Sequence, residues 1–215
     1  MNVVYFAVGQ EHAEMAELAA IALRATNPTA DAWVLTDAET QFETLKPVRS
    51  FVSQQTLIYD RTIAQYYFLL QHREALFLDS DCVVNRDLTG AFDGSICVTK
   101  RIPPKQIADQ PYNGGVLYGR GHGGVAFWMH WCEMYWRIQR DAWAWYGDQL
   151  ILSHIVKDYP VTVYDSSTHN YVPTSVEDAS ERKDVYIVHF KGKRRKPFMG
   201  QYVRKVLDET TIHCA

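Results

Sequence analysis

The stretch Ala75-Leu76-Phe77-Leu78-Asp79-Ser80-Asp81-Cys82-Val83-Val84 constrains the chain more than any other. Four apolar residues run straight into an acid, a small residue and a second acid, and β-branched residues resume after the cysteine. So short an apolar run between polar bounds reads as a buried strand. Side chains two apart in extended chain point the same way, so Asp79 and Asp81 can converge where the strand ends. Two carboxylates that close repel, and one takes up a proton unless a cation lies between them. A hard divalent ion, with oxygen ligands and positions left for water or phosphate, answers that need. The plainer alternative is a strand running into a turn, where Asp and Ser are common.

The residues before this strand narrow the choice. Residues 3–9 read as a buried strand ending on Gly9, and residues 11–24 as a helix with Met15, Leu18, Ala19, Ala22 and Leu23 at helical spacing. Asn27-Pro28 stops it, and a second strand spans 32–37. That is a βαβ unit with a parallel pair. Val8, Gly9 and the residues after them fall at the carboxyl edge of such a sheet, where open α/β sheets bind ligands. A short strand over 48–51 and a helix over 60–71 lead to the acidic strand. Arg61, in the first turn of that helix, is either a solvated surface arginine or a cation turned toward phosphates.

The chain has 215 residues, 47% hydrophobic and 22% charged, which is enough for one substantial core in one domain. A net charge of -3 gives no pull toward nucleic acid. Cys82, Cys97, Cys132 and Cys214 form no C-x-x-C pair, so free buried thiols in a reducing compartment are expected. No apolar run approaches bilayer length and no leader pattern opens the sequence, so a cytoplasmic protein without a transmembrane segment is expected.

Beyond the acidic strand, residues 95–99 read as a strand and 101–110 as a polar loop. In Asn113-Gly114-Gly115-Val116, two glycines before an apolar strand suggest a bulge or a close approach of backbone to ligand, and Asn-Gly is also a hairpin signal. Residues 124–140 read as a helix with Phe127, Trp128, Trp131, Met134, Tyr135 and Trp136 in the core. The run Trp143-Ala144-Trp145-Tyr146 has the makings of an exposed aromatic platform of the sort sugars stack on. Gly147-Asp148-Gln149 opens another helix, with Asp148 placed as an N-cap. A short strand over 160–164 and a polar loop over 165–184 come next. A strand over 185–188 ends on His189, a metal-ligand type as well as a common structural residue. In Lys191-Gly192-Lys193-Arg194-Arg195-Lys196, five bases in six positions suit an anionic ligand or a solvated loop.

Four of these signals stand in one order: Leu78-Asp79-Ser80-Asp81, Asn113-Gly114-Gly115-Val116, Gly147-Asp148-Gln149 and His189-Phe190-Lys191-Gly192. In that order they resemble family 8 of the retaining glycosyltransferases, the glycogenin and lipopolysaccharide-galactosyltransferase type, over most of the chain. The resemblance implies an α/β GT-A fold with a mainly parallel twisted sheet flanked by helices. It implies a single domain over 1–215, with a nucleotide-binding half of about 1–90 and a sugar- and acceptor-binding half of about 91–215. It also implies a metal-dependent transfer of a hexose from a nucleotide-diphosphate sugar, UDP-linked, to an acceptor hydroxyl with retention. The acceptor is a glycan, a lipid-linked sugar or a protein. Asp79, Asp81 and His189 would bind Mn2+ (or Mg2+). Val8, Gly9, Arg61, Ser80, Asn113, Gly114, Gly115, Asp148, Gln149, Gly192 and Arg195 or Lys196 would line the donor site. Asp148 and Gln149 would serve catalysis, Gln149 beneath the anomeric carbon as nucleophile or as a steadying group. The sequence departs from the family pattern in four places, the first being that three residues separate Gly192 from Lys196 where two are usual. Phe198 stands where a tryptophan is usual, and Gln65 where a helix carries a base, with Arg61 one turn earlier. Gly9-Gln10-Glu11 occupies the place of the residues that read uracil.

Three rival readings exist. A haloacid-dehalogenase-like phosphatase also has an apolar strand before D-x-D, with Asp79 as nucleophile, but its motif opens the domain. A sugar nucleotidylyltransferase would need a Gly-rich phosphate loop near the N-terminus. A non-catalytic nucleotide-sugar-binding protein would have no use for the intact set of acids and His189.

Overall fold

The computed structural model describes the backbone of residues 1–101, 110–144 and 146–213. Most of the polar loop at 101–110, together with Trp145 and Cys214, lies outside the described residues. The first βαβ unit is β1 (Asn2–Phe6), α1 (Gln10–Thr26) and β2 (Asp31–Thr36); β3 (Lys46–Arg49) and α2 (Leu57–His72) then lead to β4 (Glu74–Asp79). After β4 come β5 (Cys82–Val84), β6 (Ile96–Lys100), β7 (Tyr112–Arg120), α3 (Gly121–Met134) and α4 (Gly147–Ile155). The chain closes with β8 (Thr162–Tyr164), α5 (Ser166–His169), α6 (Val176–Glu181), β9 (Ile187–His189) and α7 (Lys196–His213).

Among the described residues, seven strands form one sheet in the order β3-β2-β1-β4-β7-β6-β8. Only β7 runs against the rest: it pairs antiparallel with β4 and β6, while the other pairings are parallel. The fold is α/β, as the sequence predicts. Helices cover both faces, and this explains why β4 is apolar at successive positions. Leu76 and Leu78 pack toward α1 and α7, while Ala75 and Phe77 pack toward α2, α3 and α4. A separate antiparallel pair, β5 with β9, sets Cys82 opposite His189. No helix among the described residues is long and apolar enough to cross a membrane.

Three expectations change, and one element is new. The helix predicted to 140 ends at Met134 and passes through a tight turn, leaving Trp136 67% exposed instead of in the core. Trp143 is no platform: it is buried, with its ring 4.5 Å from Tyr59 and its Nε1–H donated to the Tyr135 carbonyl. The segment 165–184 carries two short helices, α5 and α6, capped by the side chains of Asp165 and Ser175. Past the basic run, α7 buries Met199, Tyr202, Val203 and Val206 at helical spacing, in the same apolar cluster as residues of α1.

Candidate active site

Strands β1 and β4 are parallel neighbours in the middle of the sheet, with Phe6 beside Asp79, and β2 lies on the far side of β1. The strand order therefore reverses between β1 and β4, the switch point at which open α/β sheets leave a crevice. Val8 and Gly9 leave β1 there. Gly9 has φ +81°, which favours glycine, and donates its N–H to Thr40 Oγ1 at 2.9 Å. His12, in the first turns of α1, sets its Nδ1 3.0 Å from Ser80 Oγ, so the residue between the two acids is tied to that helix.

Asp79 and Asp81 converge on one imidazole edge. His189 Nε2 lies 3.1 Å from Asp81 Oδ1 and 3.9 Å from Asp79 Oδ2. The other ring nitrogen, Nδ1, is 2.8 Å from Asn170 Oδ1, and the Asn170 NH2 donates to Thr99 Oγ1. An amide oxygen accepts only, so Nδ1 carries the proton and Nε2 is the atom turned to the acids. That edge either shares a proton with Asp81 or offers a lone pair to a cation. Two carboxylates and an oriented imidazole nitrogen are a donor set that fits a divalent ion such as Mn2+ or Mg2+, with Asn170 as the outer partner that fixes the ring. Burial works to raise the Asp81 carboxyl, but His189 and, further off, Lys196 outweigh it and hold it down at about 2. Cys82 also comes within 4.8 Å of the Asp81 and His189 donor atoms. Its thiol is directed to the Gly115 carbonyl, and burial pushes its pKa well up, so it stays protonated and is a poor ligand.

Arg61 joins the Asp79–Asp81–His189 cluster to Asp148 on α4. It is buried, not a surface arginine, and its guanidinium donates to Asp79 Oδ1 at 2.9 Å and to Asp148 Oδ2 at 2.5 Å. Burial works against its charge, but Asp148 and Asp79 outweigh this and raise its pKa. Asp148 is not an N-cap: Tyr146 precedes the helix, and Asp148 is buried in the first turn of α4. Burial pushes its carboxyl up, with Arg61 pulling it back, and its Oδ1 has no hydrogen-bond partner among the described residues.

The glycines make room for this cluster. The β6–β7 register jumps, Val98 facing Leu117 and Thr99 facing Asn113, so the Asn113-Gly114-Gly115 segment is a bulge and not a hairpin turn. Asn113 Oδ1 accepts the Gly115 N–H at 2.8 Å. A Cβ on Gly114 would come within 2.5 Å of Asp148 Oδ2; one on Gly115 would come within 2.6 Å of the His189 ring and 2.8 Å of Asp79 Oδ2.

Of the predicted residues, Arg61, Asp79, Asp81, Asn113, Gly114, Gly115, Asp148 and His189 form one contact network. Gln149 joins it through Arg101, whose guanidinium donates to Gln149 Oε1 and whose charge is drawn down by burial and supported by Asp148. In the basic run Gly192 has φ +86°. Arg195 donates to the Pro173 and Lys191 carbonyls at 2.7 and 3.2 Å, whereas Lys196 Nζ lies 3.6 Å from Glu11 at the start of α1 and acts on the Asp81 carboxylate. The sequence reading missed Arg101, Asn170 and His12. Each sits in the chain far from its partner, and only the pairing of strands brings them together.

The carboxyl edge of the sheet thus carries an acidic cluster with an oriented histidine, and a basic helix start stands beside it. Solved structures similar to this architecture include glycosyltransferases. The glycosyltransferase GlyE of Streptococcus pneumoniae TIGR4 matches at TM-score 0.66 and 16% identity, over 97% of this chain and 63% of its own. The galactosyltransferase LgtC, in complex with donor and acceptor sugar analogs, matches at TM-score 0.64 and 15% identity, over 99% of this chain and 96% of its own. A glycosyltransferase involved in glycosylation of the major capsid of PBCV-1 matches at 0.59 and 15%, over 95% and 100%. The chain thus spans 63% of the length of GlyE. The likeness is one of fold, and the fold is GT-A. No protein-family model matches the sequence, and no curated protein matches it.

Proposed function

We propose that this chain is a metal-dependent glycosyltransferase that moves a hexose from a UDP-linked sugar to an acceptor hydroxyl with retention of configuration. The observation that carries this reading is the convergence of Asp79, Asp81 and the oriented His189 Nε2 at the switch point of a GT-A sheet. Asp79, Asp81 and His189 would hold Mn2+ or Mg2+. Such an ion, when bound, supplies positive charge against the departing diphosphate.

The chain's own groups do the rest. Lys196, at the first turn of α7, and the backbone of Gly192 face the diphosphate, with the helix start adding its favourable field for an anion. Val8, Gly9 and Ser80 border the nucleoside. Asn113 and Asp148 meet sugar hydroxyls, and the unpartnered Asp148 Oδ1 suits one of them. Arg61 lies between Asp148 and Asp79 and donates to both. In the transfer, the bond from the anomeric carbon to the phosphate oxygen breaks and its electron pair stays with the diphosphate. The acceptor oxygen bonds to that carbon from the same face, and its proton passes to the departing phosphate oxygen. The acceptor is a glycan, a lipid-linked sugar or a protein. The buried free thiols of Cys82, Cys97 and Cys132 favour a reducing, cytoplasmic setting. Asp79 already gives one carboxylate oxygen to Arg61, which disfavours the phosphatase reading with Asp79 as nucleophile.

The test is nucleotide release from a panel of UDP-, GDP- and ADP-sugars, with Mn2+ and with a chelator. Manganese-dependent release of UDP from one donor is the expected result. Release that persists in chelator, or a phosphate trapped on Asp79, would sink the proposal.

A further inference from the structure

Lys100, the last residue of β6, pairs with Tyr112 of β7, and the Arg101 N–H donates to the Pro111 carbonyl at 2.8 Å. The Arg101 backbone is thereby fixed at the carboxyl edge, beside the bulge that carries Gly114 and Gly115. Its side chain crosses to α4, where it donates to Gln149 Oε1. A guanidinium has no acceptor, so the atom it meets is the carbonyl oxygen of Gln149 and not the NH2. The amide is turned in one sense, with its oxygen toward Arg101 and its NH2 away from it. The charged donor also makes this hydrogen bond stronger than a neutral one.

Resting on the glycosyltransferase reading, we propose that Arg101 is a positioning residue: it caps the Gln149 carbonyl oxygen, so that Gln149 steadies the donor sugar through its NH2 and does not attack it. Attack by the amide oxygen would break the bond from the anomeric carbon to the phosphate, send that electron pair to the diphosphate, and leave a glycosyl imidate with its positive charge on the Gln149 side chain. That cation would form against the Arg101 guanidinium, and the lone-pair density needed for attack is already drawn toward an N–H. Direct transfer from the acceptor oxygen leaves the amide neutral throughout. Of the two roles open to Gln149 in the sequence, the contact with Arg101 selects the steadying one.

Two substitutions separate the hydrogen bond from the charge. Arg101→Met keeps the stem and removes every donor, and Arg101→Gln restores an N–H donor without charge. The first readout needs no donor sugar: the 15N signal of the Gln149 side-chain amide, identified by its absence in Gln149→Ala. It is expected to be motionally restricted in the parent protein, averaged in Arg101→Met and restricted again in Arg101→Gln. The second readout is UDP release at saturating donor beside UDP affinity with Mn2+. Arg101→Met is expected to slow release by about 10- to 100-fold, as misplacement of a reacting-site group does, with affinity within about twofold. Arg101→Gln should recover most of the rate.

An amide signal unchanged in Arg101→Met, or an unchanged rate, overturns the positioning role and leaves the glycosyltransferase reading standing. A fall in affinity equal to the fall in rate makes Arg101 a binding residue instead. A glycosyl adduct on Gln149, found by intact mass in quenched turnover, overturns the proposal directly. A parent protein that neither binds UDP with Mn2+ nor releases UDP from any donor overturns the parent reading, and the amide signal still reports on Arg101.

Discussion

Asn170 touches neither carboxylate, yet it decides which nitrogen of His189 faces them. Its oxygen is committed to His189 Nδ1 because its NH2 is committed to Thr99. With Asn170→Ala the ring loses that restraint and its preferred tautomer. Mn2+ affinity, measured by calorimetry in the presence of UDP, should weaken about 10- to 100-fold, as is usual when an outer partner of a metal ligand is removed. Full affinity in Asn170→Ala would argue that His189 is not a ligand. This residue also marks the limit of sequence reading at this scale. Asp79, Asp81 and His189 stand at the ends of apolar strands, and that position alone makes them visible. Asn170 lies in a polar stretch with no periodic signal, and nothing local ties it to His189 or to Thr99. Asp148 is a different failure: an acid in a first helical turn is read as a cap, and only the approach of Arg61 from α2 reveals a buried ion pair.

At the scale of elements, α7 supports the site from behind. Tyr202 is buried with its ring centroid 5.4 Å from that of Phe190, the residue after His189, and its hydroxyl donates to Asn85 Oδ1. The Phe190 N–H in turn donates to the Asp81 carbonyl at 2.9 Å, so the segments that carry Asp81 and His189 are laced where α7 presses on them. Tyr202→Ala should cost about 3–5 kcal/mol, the usual range for emptying a buried aromatic site, and Tyr202→Phe only about 1 kcal/mol for the lost hydrogen bond. Urea unfolding would check both, and equal midpoints for Tyr202→Ala and the parent would show that the helix is dispensable to the core. The helix was readable from Met199, Tyr202, Val203 and Val206, but the basic run before it draws the eye to charge. The aromatic residues mislead in the opposite way. Composition cannot tell Trp136, exposed past the end of α3, from Trp143, buried under Tyr59, because the end of α3 at Met134 and the turn over Arg140–Trp143 decide what each one meets.

Over the whole molecule, Asp81 and His189 come from β-strand ends 108 positions apart in sequence, and their attraction exists only in the folded chain. This sets the acid limit of the metal-free protein. Asp81 has a folded pKa of about 2 against an ordinary value of 3.8, so the unfolded chain binds the proton more readily between them. The stabilisation is complete above that ordinary value and lost as pH falls through about 2. In thermal melts without metal, the parent should lose stability across this window more steeply than Asp81→Asn does; parallel acid profiles would mean that the His189–Asp81 contact adds nothing. The fold class and most elements were legible because the central parallel strands β1, β4 and β6 are buried on both faces and so read as apolar runs. The order of the strands was not, since pairing depends on contacts the chain makes far from where it is. Strand β7 fits between β4 and β6 although β6 comes before it in the chain, and β5 finds its partner only in β9. The sheet therefore cannot be completed in the order in which the polypeptide is made. Until β7 arrives, the edge of β4 stands open to any passing strand, and the strand that carries the bulge making room for the acids is also the strand that shuts that edge, through Val116 to Arg120.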